Sequence, residues 1–181
     1  MPEGHVIHRL ANGLTDWFGG QAVRVTSPQG RFADAAPCYR RRIALGGWIE
    51  EVFYSHYRLG MCHRGTGEEA AMFHQLLLTF EQFPHRAEPL FVLAEHCMKT
   101  SRHRLGYHSA SIGCTILKPG NALFVESDVY DWRLPDVMAV CGYYVERKGE
   151  ALKINERLLK IAPTREHARI RQNIAFCRGQ A

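Results

Sequence analysis

The 181-residue chain is 46% hydrophobic, which suits one domain, or one domain with a small appendage, and excludes a disordered tail. Its net charge of +5 (23 basic against 18 acidic side chains) is mildly basic, so it permits phosphate binding without requiring it. Six scattered cysteines without a CxxC pair exclude a zinc finger or ribbon, and no 18-residue apolar run marks a membrane span or leader, so a cytoplasmic protein with reduced, mostly buried thiols is expected.

Along the chain, residues 5–18 (HVIHRLANGLTDWF) place Val6, Leu10, Leu14 and Trp17 at helical spacing, and Gly19-Gly20 stop that helix. Residues 22–26 (AVRVT) alternate as a strand does, and Pro28 and Gly30 mark a turn in SPQGRF. Composition changes over Ala33–Pro37, which sets a boundary between a segment 1–36 and a domain 37–181. From Tyr39 on, the pattern is helical over 39–45, 48–64, 68–83, 86–98, 103–116, 134–147, 149–161 and 164–177. Glu146-Arg147-Lys148-Gly149 reads as a turn between two of these helices.

A recurrence runs through the helical part. Gly60 precedes Pro84, Ala94 precedes Pro119 and Ala139 precedes Pro163, each time with parts of two amphipathic segments between. Small residues where helices cross and a closing proline resemble the 34-residue tetratricopeptide repeat, a helix–turn–helix unit. Residues 121–132 (NALFVESDVYDW) lengthen one interval as an insertion. The fold expected is therefore mainly α: tetratricopeptide-like helix–turn–helix repeats preceded by a short helix–strand segment.

The most chemically pointed residues are the first five, MPEGH. With the initiator Met removed, Pro2 presents a secondary amine, partly neutral near pH 7 and able to attack C1′ of a deoxyribose. Glu3 beside it could move protons during ring opening and elimination. MPEGHVIHRLANGL followed by VRVTSPQGRF resembles the amino terminus of the formamidopyrimidine-DNA glycosylase/endonuclease VIII family. The resemblance implies Pro2 as Schiff-base nucleophile, Glu3 as acid/base, and DNA as partner. The rest departs from that family. No lysine precedes Lys99, only one strand is legible, and no clustered cysteines could form the family's zinc finger. A base-flipping pocket needs more scaffold than one helix and one strand. An inert N-terminus, with a proline and a glutamate at a helix start, is the plainer reading of Pro2 and Glu3.

The larger part carries a second resemblance. FPHRAEPLFVLAEH, RHRLGYHSASIG, ALFVESDVYDWRLPD and EALKINERLLKIAP resemble the helical-repeat region that follows the catalytic domain in certain bacterial glycosyltransferases. The nucleotide-sugar domain of those enzymes has no counterpart here, so the resemblance implies a protein–protein interaction module without catalysis of its own. Its surface would bind a protein or peptide along one helix of each pair. Two truncated resemblances meeting near Ala35-Ala36 also suit a fused or rearranged reading frame. No cofactor or metal is expected. Asp128 and Asp131 read as loop or capping residues ahead of cation ligands, and His5/His8 as surface residues. Arg102, His103, Arg104 and His108 form a solvated helix start that could meet an anion. Tyr143-Tyr144, Phe53-Tyr54 and Cys141 read as packing residues.

Overall fold

The computed structural model describes residues 32–180, which form one compact helical unit. The helix of residues 5–18, the strand of residues 22–26, and Pro2 and Glu3 lie outside the described residues. Eight α-helices follow one another: α1 Phe32–Leu45, α2 Ile49–Thr66, α3 Glu69–Gln82, α4 Glu88–Lys99, α5 His103–Gly113, α6 Leu134–Tyr144, α7 Lys148–Ile161 and α8 His167–Cys177. A π-helical turn, Val129–Arg133, leads into α6, and a 3₁₀ turn, Thr164–Glu166, into α8. Each helix packs on the one before and the one after, and α4 also touches α6. No strand occurs among the described residues.

The pairs α2–α3, α4–α5 and α6–α7 are the repeats expected. Gly67, Ser101 and Glu146 each turn the chain between the helices of a pair with a left-handed backbone, at φ 77°, 59° and 63°. In each, the following amide donates to the carbonyl five residues back: Glu68 to His63, Arg102 to Cys97 and Arg147 to Gly142. This is the Schellman closure of a helix. The three turns are 34 and then 45 residues apart, and the same two steps connect equivalent packing positions. Gly60, Ala94 and Ala139 are all buried; so are Met72, Gly106 and Ala151, then Leu76, Ala110 and Asn155, then Thr79, Gly113 and Leu158. Chance spacing would not place every member of four such sets in the core. Residue sizes trade across the crossings. A Cβ on Gly60 would lie 2.6 Å from Leu76 Cδ2, and one on Gly106 would lie 2.8 Å from Cys141 Sγ and 3.2 Å from the Ala94 carbonyl oxygen.

α1 begins earlier than the composition suggested. The boundary drawn between residues 36 and 37 falls inside this helix. Phe-Ala-Asp-Ala-Ala is good helix material and Asp34 lies in the positive first turn, whereas Pro37 lies in the second turn, where it forgoes the bond to the Ala33 carbonyl. Tertiary packing then settles the matter. The Phe32 ring lies where a Cβ on Gly65 of α2 would be, and Ala36, Leu59 and Cys62 form a small core with Tyr39 and Ile43.

The main core gathers Phe53 and Tyr57 of α2, Met72 and Leu76 of α3, and Leu90, Phe91 and Leu93 of α4, with Val129, Leu134 and Val137. A further cluster, Leu158, Ala162, Ile170 and Ile174, joins α7 to α8. Each such side chain, fully buried, contributes about 1.5–3 kcal/mol. Half of the thiols join this interior. Cys62, Cys97 and Cys141 are buried, whereas Cys38 and Cys177 are half-buried and Cys114 is exposed. The expectation of mostly buried thiols is corrected to that extent.

Candidate interaction site

α4 opens Glu-Pro-Leu-Phe-Val-Leu-Ala, and residues Pro89–Ala94 are apolar on every side, so Glu88–Ala94 is buried throughout. The charges that flank this run are buried with it. Arg86 and Glu88 are both fully inaccessible. Arg86 Nε donates to Glu88 Oε2 at 3.2 Å and Nη2 to Glu88 Oε1 at 2.8 Å. Nη1 donates to Glu50 Oε2 at 3.0 Å and to the Leu123 carbonyl at 3.1 Å. Nη2 also donates to the Phe124 carbonyl at 3.1 Å. All five guanidinium N–H donors thus have an acceptor, and the Phe53 ring covers one face of the guanidinium with its centroid 3.8 Å from Cζ.

The segment that supplies those carbonyls is the insertion. Tyr130 donates its hydroxyl proton to Glu88 Oε2 at 2.7 Å and accepts the Ala87 amide at 3.0 Å. Glu126 offers its amide to Glu88 Oε1 at 3.4 Å and accepts the Tyr57 hydroxyl at 2.8 Å. Phe124 stacks on Tyr54 at 4.3 Å, and the Arg133 guanidinium lies over Phe91 at 4.3 Å. Burial, reinforced by the neighbouring carboxylates Glu126 and Glu88, holds the hydroxyls of Tyr57 and Tyr130 well above the usual tyrosine range. These groups remain donors at neutral pH. Of the surface expected along one helix of each pair, the start of α4 is covered by the chain's own residues 121–133.

Other residues singled out by sequence fall into structural roles. Asp131 pairs with Lys118 at 2.8 Å and Asp128 with Arg133 at 3.4 Å, so neither caps a helix with its side chain. Arg102 is bonded to Glu69 and lies 5.1 Å from the Phe73 ring centroid. His103 stacks on Tyr144 at 4.0 Å, which leaves Arg104 and His108 exposed around a shallow depression with Leu105. Phe53 stacks with Tyr57, and Tyr143 meets Tyr144 edge-on. Cys141 is a core residue whose thiol burial pushes up to about 12. Among the described residues, no group of three His, Cys, Asp or Glu side chains is placed to hold a metal ion, and no helix is long and apolar enough to cross a membrane.

Sequence reasoning placed residues 86–98 in a helix but did not single out Arg86 and Glu88. The available signal was local: the apolar run Pro89–Ala94 gives the charges beside it no solvated face. Their partners, 36 to 38 residues away in Glu50, Leu123 and Phe124, carried none.

Compared with known proteins, the chain is 46% identical over 59 residues to the proteins named Endonuclease 8 1 of Mycobacterium bovis and Mycobacterium tuberculosis. The match takes in 32% of this chain and spans only 22% of the length of those relatives. It supports a fragment resembling the formamidopyrimidine-DNA glycosylase/endonuclease VIII family. A match of 59 residues is longer than the 36 on which that resemblance was read, so it extends into the helical unit. No family model matches the chain, and no solved structure matches it.

Proposed function

We propose that the helical unit is a tetratricopeptide-like interaction module, of the kind that accompanies certain bacterial glycosyltransferases, and that it binds a protein or peptide segment without catalysing a reaction. The observation that carries this reading is the recurrence of turn geometry and buried positions at steps of 34 and 45 residues. Repeats that stack in this way build extended surfaces whose use is recognition. The test is chemical-shift mapping with a displayed-peptide library. Selected peptides should perturb resonances of α2, α4 and α6 along one face; a library that yields no binder of the folded protein would sink the reading.

A second reading is favoured by the identity to Endonuclease 8 1. In it the Met-processed chain uses the Pro2 amine to attack C1′ of an abasic deoxyribose, with Glu3 moving the protons of ring opening and elimination. DNA is then the partner. Borohydride trapping on duplex DNA with one abasic site, beside a Pro2-blocked control, separates the readings. An adduct that requires free Pro2 assigns lyase chemistry to the first residues; its absence, with Met removal confirmed by intact mass, leaves the module alone.

A further inference from the structure

We propose that Arg86 and Glu88 form a main-chain clamp for a peptide segment bearing an aromatic residue two positions before a carboxylate, and that residues 121–128 fill that clamp in cis until such a peptide displaces them. The proposal rests on the interaction-module reading and names its partner class.

The clamp reads backbone. Arg86 donates to the carbonyls of consecutive residues, Leu123 and Phe124, and Glu88 accepts the amide of Glu126. These contacts fix the path of a chain without regard to its side chains. Specificity sits beside them: Phe124 stacks on Tyr54, and Glu126 takes the Tyr57 hydroxyl. The two side chains that are read are two residues apart, on a segment bent by the left-handed backbone at Phe124.

The occupant is built to be exchanged. It belongs to the insertion that lengthens the second repeat step from 34 to 45 residues, and the 34-residue step has no counterpart of it. No regular secondary structure runs from Cys114 to Glu126, and none of residues 121–128 is fully buried. Phe124 is held at φ 57°, a left-handed backbone that a non-glycine residue adopts at a cost. The segment's next residue, Val129, is fully buried and would anchor it when the rest lifts. Once lifted, it leaves two guanidinium N–H donors and the Tyr57 hydroxyl without partners beside the buried start of α4, an arrangement that favours a replacement peptide over an empty groove.

The test uses the full chain with residues 121–126 replaced by Gly and Ser at equal length, and as probe a fluorescent peptide of residues 120–128 (GNALFVESD) read by anisotropy. The emptied protein should bind the peptide, and wild type should bind it about tenfold more weakly or worse because its clamp is occupied. Phe124→Ala or Glu126→Gln within the peptide should each weaken binding by about tenfold. A folded emptied protein, with its helical circular dichroism retained, that ignores the peptide or does not distinguish it from these variants overturns the proposal. Should the replacement unfold the chain, hydrogen exchange on wild type decides. Amides of residues 121–128 opening much faster than those of Leu90–Ala94 support the clamp, and a common opening rate overturns it. A library peptide that binds wild type and emptied protein equally, away from α4, removes this inference and keeps the module reading; failure of the whole library on both proteins removes the module reading itself.

Discussion

Gly60 of α2 faces Leu76 of α3 so closely that a single added carbon would lie 2.6 Å from the leucine's Cδ2. Leu76 is fully buried, so it has little room to retreat. Gly60→Val is expected to destabilise the protein by about 1–3 kcal/mol through overpacking, despite the better helix propensity of valine. Gly149 has nothing within 4 Å of such a carbon, and Gly149→Ala should stabilise by about 0.4–1 kcal/mol. At the equivalent crossing of the third pair, Ala139 is 1% exposed. Ala139→Asp would bury an unpaired charge and should cost about 3–5 kcal/mol. Urea denaturation of the three variants checks all of these, and an unchanged midpoint for Ala139→Asp would count against the repeat packing.

The Arg86–Glu88 pair is a different kind of contributor. Deleting one partner leaves the other charged in the interior, so Glu88→Ala should lose about 3–5 kcal/mol. Replacing both with apolar residues, Arg86→Met with Glu88→Leu, should lose clearly less than the two single changes added together. The double variant should still loosen the insertion, because the carbonyls of Leu123 and Phe124 then have no donor. Denaturation and amide exchange over residues 121–128 read the two effects separately.

Acid should act first at His56. Burial holds its imidazole below the usual histidine range, and the Gln75 side-chain amide donates to its Nδ1 at 2.9 Å. A folded-state value below the unfolded one, about 6.5, means that the unfolded chain takes up the proton first. The contribution is therefore complete above that pH and is lost as pH falls through the folded-state value. The thermal midpoint should drop on going from pH 7 toward 5.5, and His56→Gln should flatten the slope in that interval. The carboxylate of Glu95 acts at lower pH. Burial raises it, but the bonds from Arg64 and Lys99 outweigh burial and hold it below the usual carboxylate range. Its contribution is retained above that range and lost on further acidification. A wild-type slope that survives His56→Gln would place the acid-sensitive group elsewhere.

The thiols should divide by burial. Burial pushes Cys62, Cys97 and Cys141 up, the last to about 12, so none carries appreciable thiolate at pH 7.5. Cys114 is exposed by surface area, yet partial desolvation raises its thiol to about 11. Native protein should therefore label slowly with iodoacetamide at Cys114 and not at the three core thiols, all of which should label in denaturant. Peptide mapping by mass spectrometry makes the assignment, and rapid native labelling of Cys97 or Cys141 would contradict the packing of α4 against α5 and α6.

The helices themselves were legible because a helix announces itself locally. Apolar residues at a period of 3.6, breaks at Gly46-Gly47, Pro84 and Pro163, and small residues at Gly60, Ala94 and Ala139 are readable within a few residues of each other. Other features needed tertiary contacts. Pro37 and its small neighbours read as a change of composition, and Phe32 docking on Gly65 carries α1 through them. Ser101 bears no mark of a left-handed turn, yet the closure of α4 onto α5 imposes one on it. The insertion was visible as extra length but not as a cover.

Thus the sequence by itself determined a chain of paired helices, where they cross, and an amino-terminal segment resembling a glycosylase. Only the tertiary structure decided that the first half of α4 is buried all round, that Arg86 and Glu88 lie in the interior, and that residues 121–133 lie across them. The reason is physical. Helical periodicity comes from neighbours three and four residues away, whereas a charge reads as solvated until partners from distant parts of the chain arrive to replace the water.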